Sequence, residues 1–225
     1  NKVHDNNGTG LWSDICSTHV HYIENLLVNN SGPGVSHEIS LNSTIHGNIA
    51  CSNGWGKPHW LWGGQLQVQN SEGVVVSNNS VVVGAARGTN GMTLVQQNRT
   101  QCADQIGLPF HAARRNAFLD NRVYPAAWGV SGGVGDFQPA DPGLVMFSSA
   151  ANNTWQGNRY FVSADDRRAA GGGAHWEWSA GTGNFSEWKG ASQVTGWAAG
   201  SVLETVPPEA VLMEMCSLQQ PWPPV

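Results

Sequence analysis

The sequence has 225 residues, a length for one large domain or two small ones, and its 40% of hydrophobic residues is enough to build a core. Only 12% are charged, against 28 glycines and 11 tryptophans, which argues against a helical bundle, whose outer faces need Glu, Lys and Arg. A net charge of −5 with 11 Lys and Arg argues against a nucleic-acid partner, and no apolar run approaches the ~18 residues of a membrane span.

Taken in chain order, one short pattern recurs: apolar, two residues, Asn, one residue, apolar. It reads Tyr22-x-x-Asn25-x-Leu27, Ile45-x-x-Asn48-x-Ala50, Val76-x-x-Asn79-x-Val81, Phe118-x-x-Asn121-x-Val123 and Trp155-x-x-Asn158-x-Tyr160, and Asn1-Lys2-Val3 is the tail of one more copy. Successive asparagines are 24, 23, 31, 42 and 37 residues apart. The first three copies carry a second Asn five positions on (Asn6, Asn30, Asn53), and two of them a Gly nine positions on (Gly10, Gly34). A period near 23 with short β-rich runs predicts one coil of a parallel β-solenoid per copy, each coil holding two or three short strands. An Asn at a fixed turn hydrogen-bonds its equivalents above and below and tolerates left-handed backbone, while the flanking apolar residues stack inward.

The longer intervals predict inserted loops, for example 54–64 and 84–91. The pattern fades after residue 100. Residues 101–117 read as a short helix or an irregular crossing, and 124–143 as a long Gly- and Pro-rich loop. The stretch 143–147 restarts a coil before Trp155. His175-Trp176-Glu177-Trp178 alternates like a strand, Ser186 is a possible N-cap for a short helix, and the tail from Pro207 to Met215 reads as another. The chain is thus expected to be one domain: regular coils over 1–100, coils with insertions over 101–160, and a terminal coil with a cap of short helices over 161–225. The abrupt start of the repeat at Asn1 implies further coils before it. Four cysteines without metal spacing (Cys16, Cys51, Cys102, Cys216) allow two disulfides in three pairings, or four buried thiols.

The runs Asn6-Asn7-Gly8-Thr9-Gly10-Leu11-Trp12-Ser13-Asp14, Ile23-Glu24-Asn25 to Ser40, and Gly64-Gln65-Leu66-Gln67-Val68 resemble the right-handed parallel β-helix family related to pectate lyases, as does the ending around Asn158-Arg159-Tyr160, Trp176-Glu177-Trp178 and Phe185-Ser186-Glu187-Trp188. The resemblance implies an all-β, right-handed parallel β-helix, secreted, acting on an extracellular polysaccharide as a lyase or a glycoside hydrolase. It also brings calcium into view as a possible cofactor. A non-catalytic scaffold for surface attachment or glycan binding is the alternative.

Aligning the coils on Asn1 and Asn25 makes Asp14 and Glu38 equivalent, each 13 positions after its ladder Asn. Stacked strands then bring the two carboxylates together, an arrangement that suits the acid and nucleophile of a glycosidase, a calcium cage or a shared proton. The plainer alternative is a pair of turn residues held by nearby amides. His37 joins Asp14 and Glu38 as a candidate catalytic residue. Trp12, His21 and the loop tryptophans Trp55, Trp60 and Trp62 are candidate substrate-binding residues, because aromatic faces stack on sugars. His19 and His21 would share one face of a strand with His4-Asp5 one coil earlier, yet nothing completes a metal site by spacing. The pattern departs from a lyase, since Lys2, Lys57, Arg87 and Arg99 occupy no equivalent positions, and no trio of aspartates suggests a polygalacturonase. His111, Arg114, Arg115 and Asp120 form the most charged stretch of the second half, either a contact for an acidic sugar or a solvated edge.

Overall fold

The computed structural model describes residues 1–56, 62–83, 90–101, 112–124, 133–136, 146, 149–162, 176–178, 181–193, 200–205 and 209–217. Three strands make each coil. The chain runs β1 (Lys2–His4), β2 (Leu11–Ser13) and β3 (His21–Ile23), then β4 (Leu26–Val28), β5 (Val35–Glu38) and β6 (Thr44–His46). Next come β7 (Ile49–Cys51), β8 (Gly64–Gln69) and β9 (Val75–Ser77), then β10 (Ser80–Val82), β11 (Asn90–Gln96) and β12 (Ala117–Leu119). The fifth coil is β13 (Arg122–Tyr124), β14 (Gly133–Asp136) and β15 (Thr154–Gln156). After it follow β16 (Arg159–Val162), β17 (Trp176–Trp178), β18 (Gly181–Gly183), α1 (Phe185–Gln193), β19 (Val202–Thr205) and α2 (Glu209–Met215). Every third strand pairs in parallel. The first sheet is ordered β1-β4-β7-β10-β13-β16-β19, the second β2-β5-β8-β11-β14 and the third β3-β6-β9-β12-β15.

The register explains the core. Val3, Leu27, Ala50, Val81, Val123, Tyr160 and Leu203 form one inward column on the first sheet. Leu11, Val35, Leu66 and Met92 form a second on the second sheet, and Tyr22, Ile45, Val76, Phe118 and Trp155 a third. All belong to or pack on one apolar cluster that fills the tube. The Phe118 and Trp155 rings stack with centroids 3.7 Å apart, so the column gains ring contact as well as burial.

The asparagine ladder forms as the repeat predicts. The Nδ2 of each of Asn1, Asn25, Asn48, Asn79 and Asn121 donates to the Oδ1 of the next Asn along the ladder, ending at Asn158, at 2.9–3.0 Å. From Asn48 onward the second Nδ2 proton goes to a carbonyl of the preceding coil (Tyr22, Ile45, Val76, Phe118). The residue before each of these asparagines from Asn25 on is left-handed: Glu24, Gly47, Asn78, Asp120 and Gly157. A second ladder runs Asn6, Asn30, Asn53 and closes on Gln65. Beside it, a Cβ on Gly34 would lie 2.6 Å from the Gln65 carbonyl oxygen, so the second glycine of the repeat is fixed by close approach of coils.

The later part of the chain differs from the expectations in two places. Residues 133–136, placed in a loop by their Gly content, form β14 and pair with β11. Helix α1 is capped by Asn184, not Ser186: the Glu187 N–H donates to Asn184 Oδ1 at 3.0 Å and the Asn184 N–H to Glu187 Oε2 at 2.9 Å, a reciprocal capping box. Helix α2 forms where the tail pattern places it, but the Cys51–Cys216 disulfide ties its end to β7, on the flank of the first sheet. Cys16 is disulfide-bonded as well. Most of 101–117, residues 84–89 of the 84–91 insertion and nearly all of 143–147 lie outside the described residues.

Candidate active-site cleft

Strand alternation sorts the second sheet into inner and outer rows. Leu11 and Val35 point inward, so Ser13 and His37, two residues on, do so too, while Trp12, Asp14, Ser36 and Glu38 face out. On β8 the outward partners of Ser36 and Glu38 are Gln67 and Gln69. This outer face floors a cleft of about 790 Å³, within the ~300–1,000 Å³ of small-molecule sites. Trp12, Ser36, Glu38, Gln67 and Gln69 make its floor. Residues preceding the three strands (Gly8, Thr9, Gly32, Pro33, Trp62, Gly63) form one wall, and Gln97 and Arg99, after β11, form the other.

Glu38 is the chemical centre of the cleft. Gln69 Nε2 donates to Glu38 Oε1 at 2.9 Å, and the Arg99 guanidinium lies 3.2 Å from the same oxygen. Burial pushes the Glu38 carboxyl above the usual range and the neighbouring Asp14 charge pushes it the same way, against opposing pulls from Arg99 and a hydrogen bond from Trp12. A carboxyl held protonated to higher pH than usual is what a general acid needs. Gln69 Nε2 also donates to Gln97 Oε1 at 2.7 Å, and Gln67 Nε2 donates to Gln69 Oε1 at 3.3 Å. Because an ionised Glu38 only accepts, the amide row has one direction: Gln67 to Gln69 to Glu38.

The equivalence of Asp14 and Glu38 is real, since their coils are in register and their charges interact. Asp14 sits beside the cleft and does not line it; its Oδ1 accepts the Ile15 N–H at 2.7 Å. His37 belongs to the other side of the strand. Its Nδ1 lies 2.7 Å from Ser13 Oγ, which accepts the Tyr22 hydroxyl at 2.6 Å, and the imidazole is fully buried. Burial lowers its pKa to about 4, so it is neutral at ordinary pH and faces the interior, away from Glu38. Trp12, 62% exposed, and Trp62 line the cleft. Trp55 is exposed but stands outside the lining, with its Nε1 3.4 Å from the Asn29 carbonyl oxygen. Trp60 lies outside the described residues. His21 is on the third sheet, and His19 precedes its strand in a left-handed turn, so the two do not share a strand face.

Among the described residues no three His, Cys, Asp or Glu side chains converge as a metal set. Asp14 and Glu38 are the only carboxylate pair at the cleft among those residues, and Glu38 already carries a guanidinium. His4 Nδ1 is bonded to Asp5 at 2.7 Å, and His4 lies on the first sheet while His21 lies on the third. Arg114 and Arg115 both pair with the buried Glu72, the former at 2.6 Å; His111 lies outside the described residues. The sequence reading missed Gln67, Gln69, Gln97 and Arg99. The alternation Gln65-Leu66-Gln67-Val68-Gln69 marks two of them as outward amides, while Gln97 and Arg99 reach the cleft only through a long-range fold.

Stacked parallel coils, Asn ladders and a triangular core define the class, and the comparison agrees. The model of the right-handed beta helix region matches residues 1–184, and the chain belongs to that family. No curated protein and no solved structure matches it. No helix of the described residues is long and apolar enough to cross a membrane.

Proposed function

We propose that this β-helix acts on an extracellular polysaccharide lodged across its second sheet, with Glu38 as the acid/base group. The observation that carries the reading is one carboxyl, raised by burial and by Asp14, on the floor of a cleft that also presents Trp12 and Trp62. Trp12 and Trp62 supply apolar faces for sugar rings, the amides supply hydrogen bonds, and Asp14 acts through its charge on Glu38. The disulfides favour a secreted protein, since such bonds persist in oxidising compartments. Binding without cleavage is the second reading, favoured by the amide of Ile15 that already holds Asp14 and by the Glu38–Arg99 pair.

Incubation with a panel of polysaccharides, with and without calcium, tests both. Release of reducing ends means hydrolysis, and absorbance of unsaturated uronates means elimination. Glu38→Gln is expected to lower turnover by about 10²-fold or more, the range for a lost acid/base group. Turnover that is intact in Glu38→Gln rejects its role. Binding with no turnover in the wild type moves the protein to the second reading.

A further inference from the structure

We infer that the glycan of this cleft is uncharged, recognised through hydroxyls by the amide row and not through carboxylates by cations. The inference rests on the polysaccharide reading above and names the substrate class.

Electrostatics come first. Arg99 is the only cation lining the cleft among the described residues, and its guanidinium is already committed to Glu38 at 3.2 Å. Asp14 adds a negative charge close enough to shift Glu38. A uronate entering here would meet the Glu38 carboxyl, the negative charge of Asp14 beside the cleft, and a guanidinium already paired. Removing Arg99 from Glu38 to serve the ligand would leave a half-buried carboxylate without its counter-charge. Like charges brought together in a partly desolvated cleft repel, so polyuronates are selected against.

Hydrogen bonding points the same way. The amide row runs from Gln67 through Gln69 to Glu38 and Gln97, which spends one Gln67 N–H on Gln69. Gln67 is 3% exposed, and its Oε1 has no hydrogen-bond partner. The next outward residue in the same row is Thr93, whose Oγ1 is likewise buried without a partner. A buried acceptor without a donor carries an uncompensated desolvation cost, and a sugar hydroxyl that donates to it removes that cost. The carboxylate of a uronate has no proton to give, so each uronic residue brings fewer donors than a neutral sugar ring. Uncharged glycans offer many hydroxyls and an apolar ring face for the exposed Trp12, and so match both halves of the floor.

The test is calorimetric titration with two sets of oligosaccharides of equal length, neutral (xylo-, manno- and cello-oligosaccharides) and uronic (oligogalacturonates, alginate oligomers), each in 50 mM and 300 mM NaCl. The wild type should bind at least one neutral set, with little dependence on salt, and bind the uronates about tenfold or more weakly. Glu38→Gln frees Arg99 and removes one repelling charge, so the uronate deficit should shrink severalfold. Gln67→Leu should weaken neutral binding about tenfold, the loss expected of one buried hydrogen bond, with the melting temperature measured alongside to show that the variant stays folded. Uronates bound as well as or better than neutral sugars, with salt-sensitive affinity, would overturn the substrate class and leave the polysaccharide reading standing. No binding by either set would overturn both. A Gln67→Leu protein that keeps its melting temperature and full affinity would remove the amide row from recognition.

Discussion

The asparagine ladder of the turns and the amide row of the second sheet use similar side-chain chemistry to opposite ends. In the ladder Asn48, Asn79 and Asn121 close their bonds, each giving two protons and receiving from the backbone and side chain of its neighbour. On the second sheet three buried polar atoms, His37 Nε2, Gln67 Oε1 and Thr93 Oγ1, lack partners, and these lie on three consecutive strands. A ladder that satisfies every group adds stability, and a sheet that leaves groups open holds hydrogen-bonding capacity in reserve at some cost to stability. The cleft lies over the outer face of that sheet.

The sharpest way to break the comparison is to remove one rung. Asn79 donates to the Ile45 carbonyl and to Asn121 Oδ1, and its own Oδ1 accepts from the N–H and Nδ2 of Asn48. Asn79→Ala leaves those buried partners unmatched and is expected to destabilise by roughly 3–5 kcal/mol, several groups at about 1 kcal/mol or more each. Urea denaturation measures it. A loss below about 1 kcal/mol would mean that the ladder is dispensable and the apolar columns alone hold the coils.

The next effect belongs to the open sheet. Burial places the His37 pKa at about 4, while the unfolded chain has the ordinary value of 6.5. Above pH 6.5 the group is neutral in both states, and the fold has its full stability with respect to it. As pH falls from there to about 4 the unfolded state takes up a proton that the folded state refuses, and roughly 3 kcal/mol of stability is lost. His37→Leu keeps an apolar group in the same place, and Ser13 keeps the Tyr22 hydroxyl. Chemical denaturation of the pair between pH 4 and 7.5 should show that the variant lacks this slope. Parallel pH profiles would contradict the assignment.

These two regions were unequally legible in the sequence. The ladder was readable because its spacing recurs: intervals of 24, 23, 31, 42 and 37 reappear as the separations of hydrogen-bonded asparagines. The pairing of Asp14 with Glu38 followed from the same period. The orientation of His37 did not enter that reading, although the inward Leu11 and Val35 fix the parity by which Ser13 and His37 point in and Glu38 points out. Period places residues in the same column, and only alternation says which side of the sheet they occupy. Arg99 carried no local signal, because its contact with Glu38 spans 61 positions and depends on where the chain leaves β11. The disulfide was undecidable for the same reason: Cys51 and Cys216 are 165 residues apart and meet only once the tail reaches the flank.

The smallest expected effect compares two neighbouring turns. Ile15 and Ile39 follow Asp14 and Glu38, and both are left-handed, with φ of 42° and 45°. A β-branched side chain is strained there, by about 1–2 kcal/mol, and Asn relieves part of that strain. Ile15 is half-exposed and Ile39 fully buried. Ile15→Asn therefore gives up little apolar contact and should stabilise the protein by about 0.5–1 kcal/mol. Ile39→Asn relieves the same backbone but gives up the burial of a fully buried isoleucine, and should destabilise by roughly 2 kcal/mol or more. The opposite signs separate backbone strain from burial at one turn position. Thermal melts of the two variants decide it: a destabilised Ile15→Asn would mean that this turn is not strained, and that its isoleucine contributes contact that outweighs its backbone.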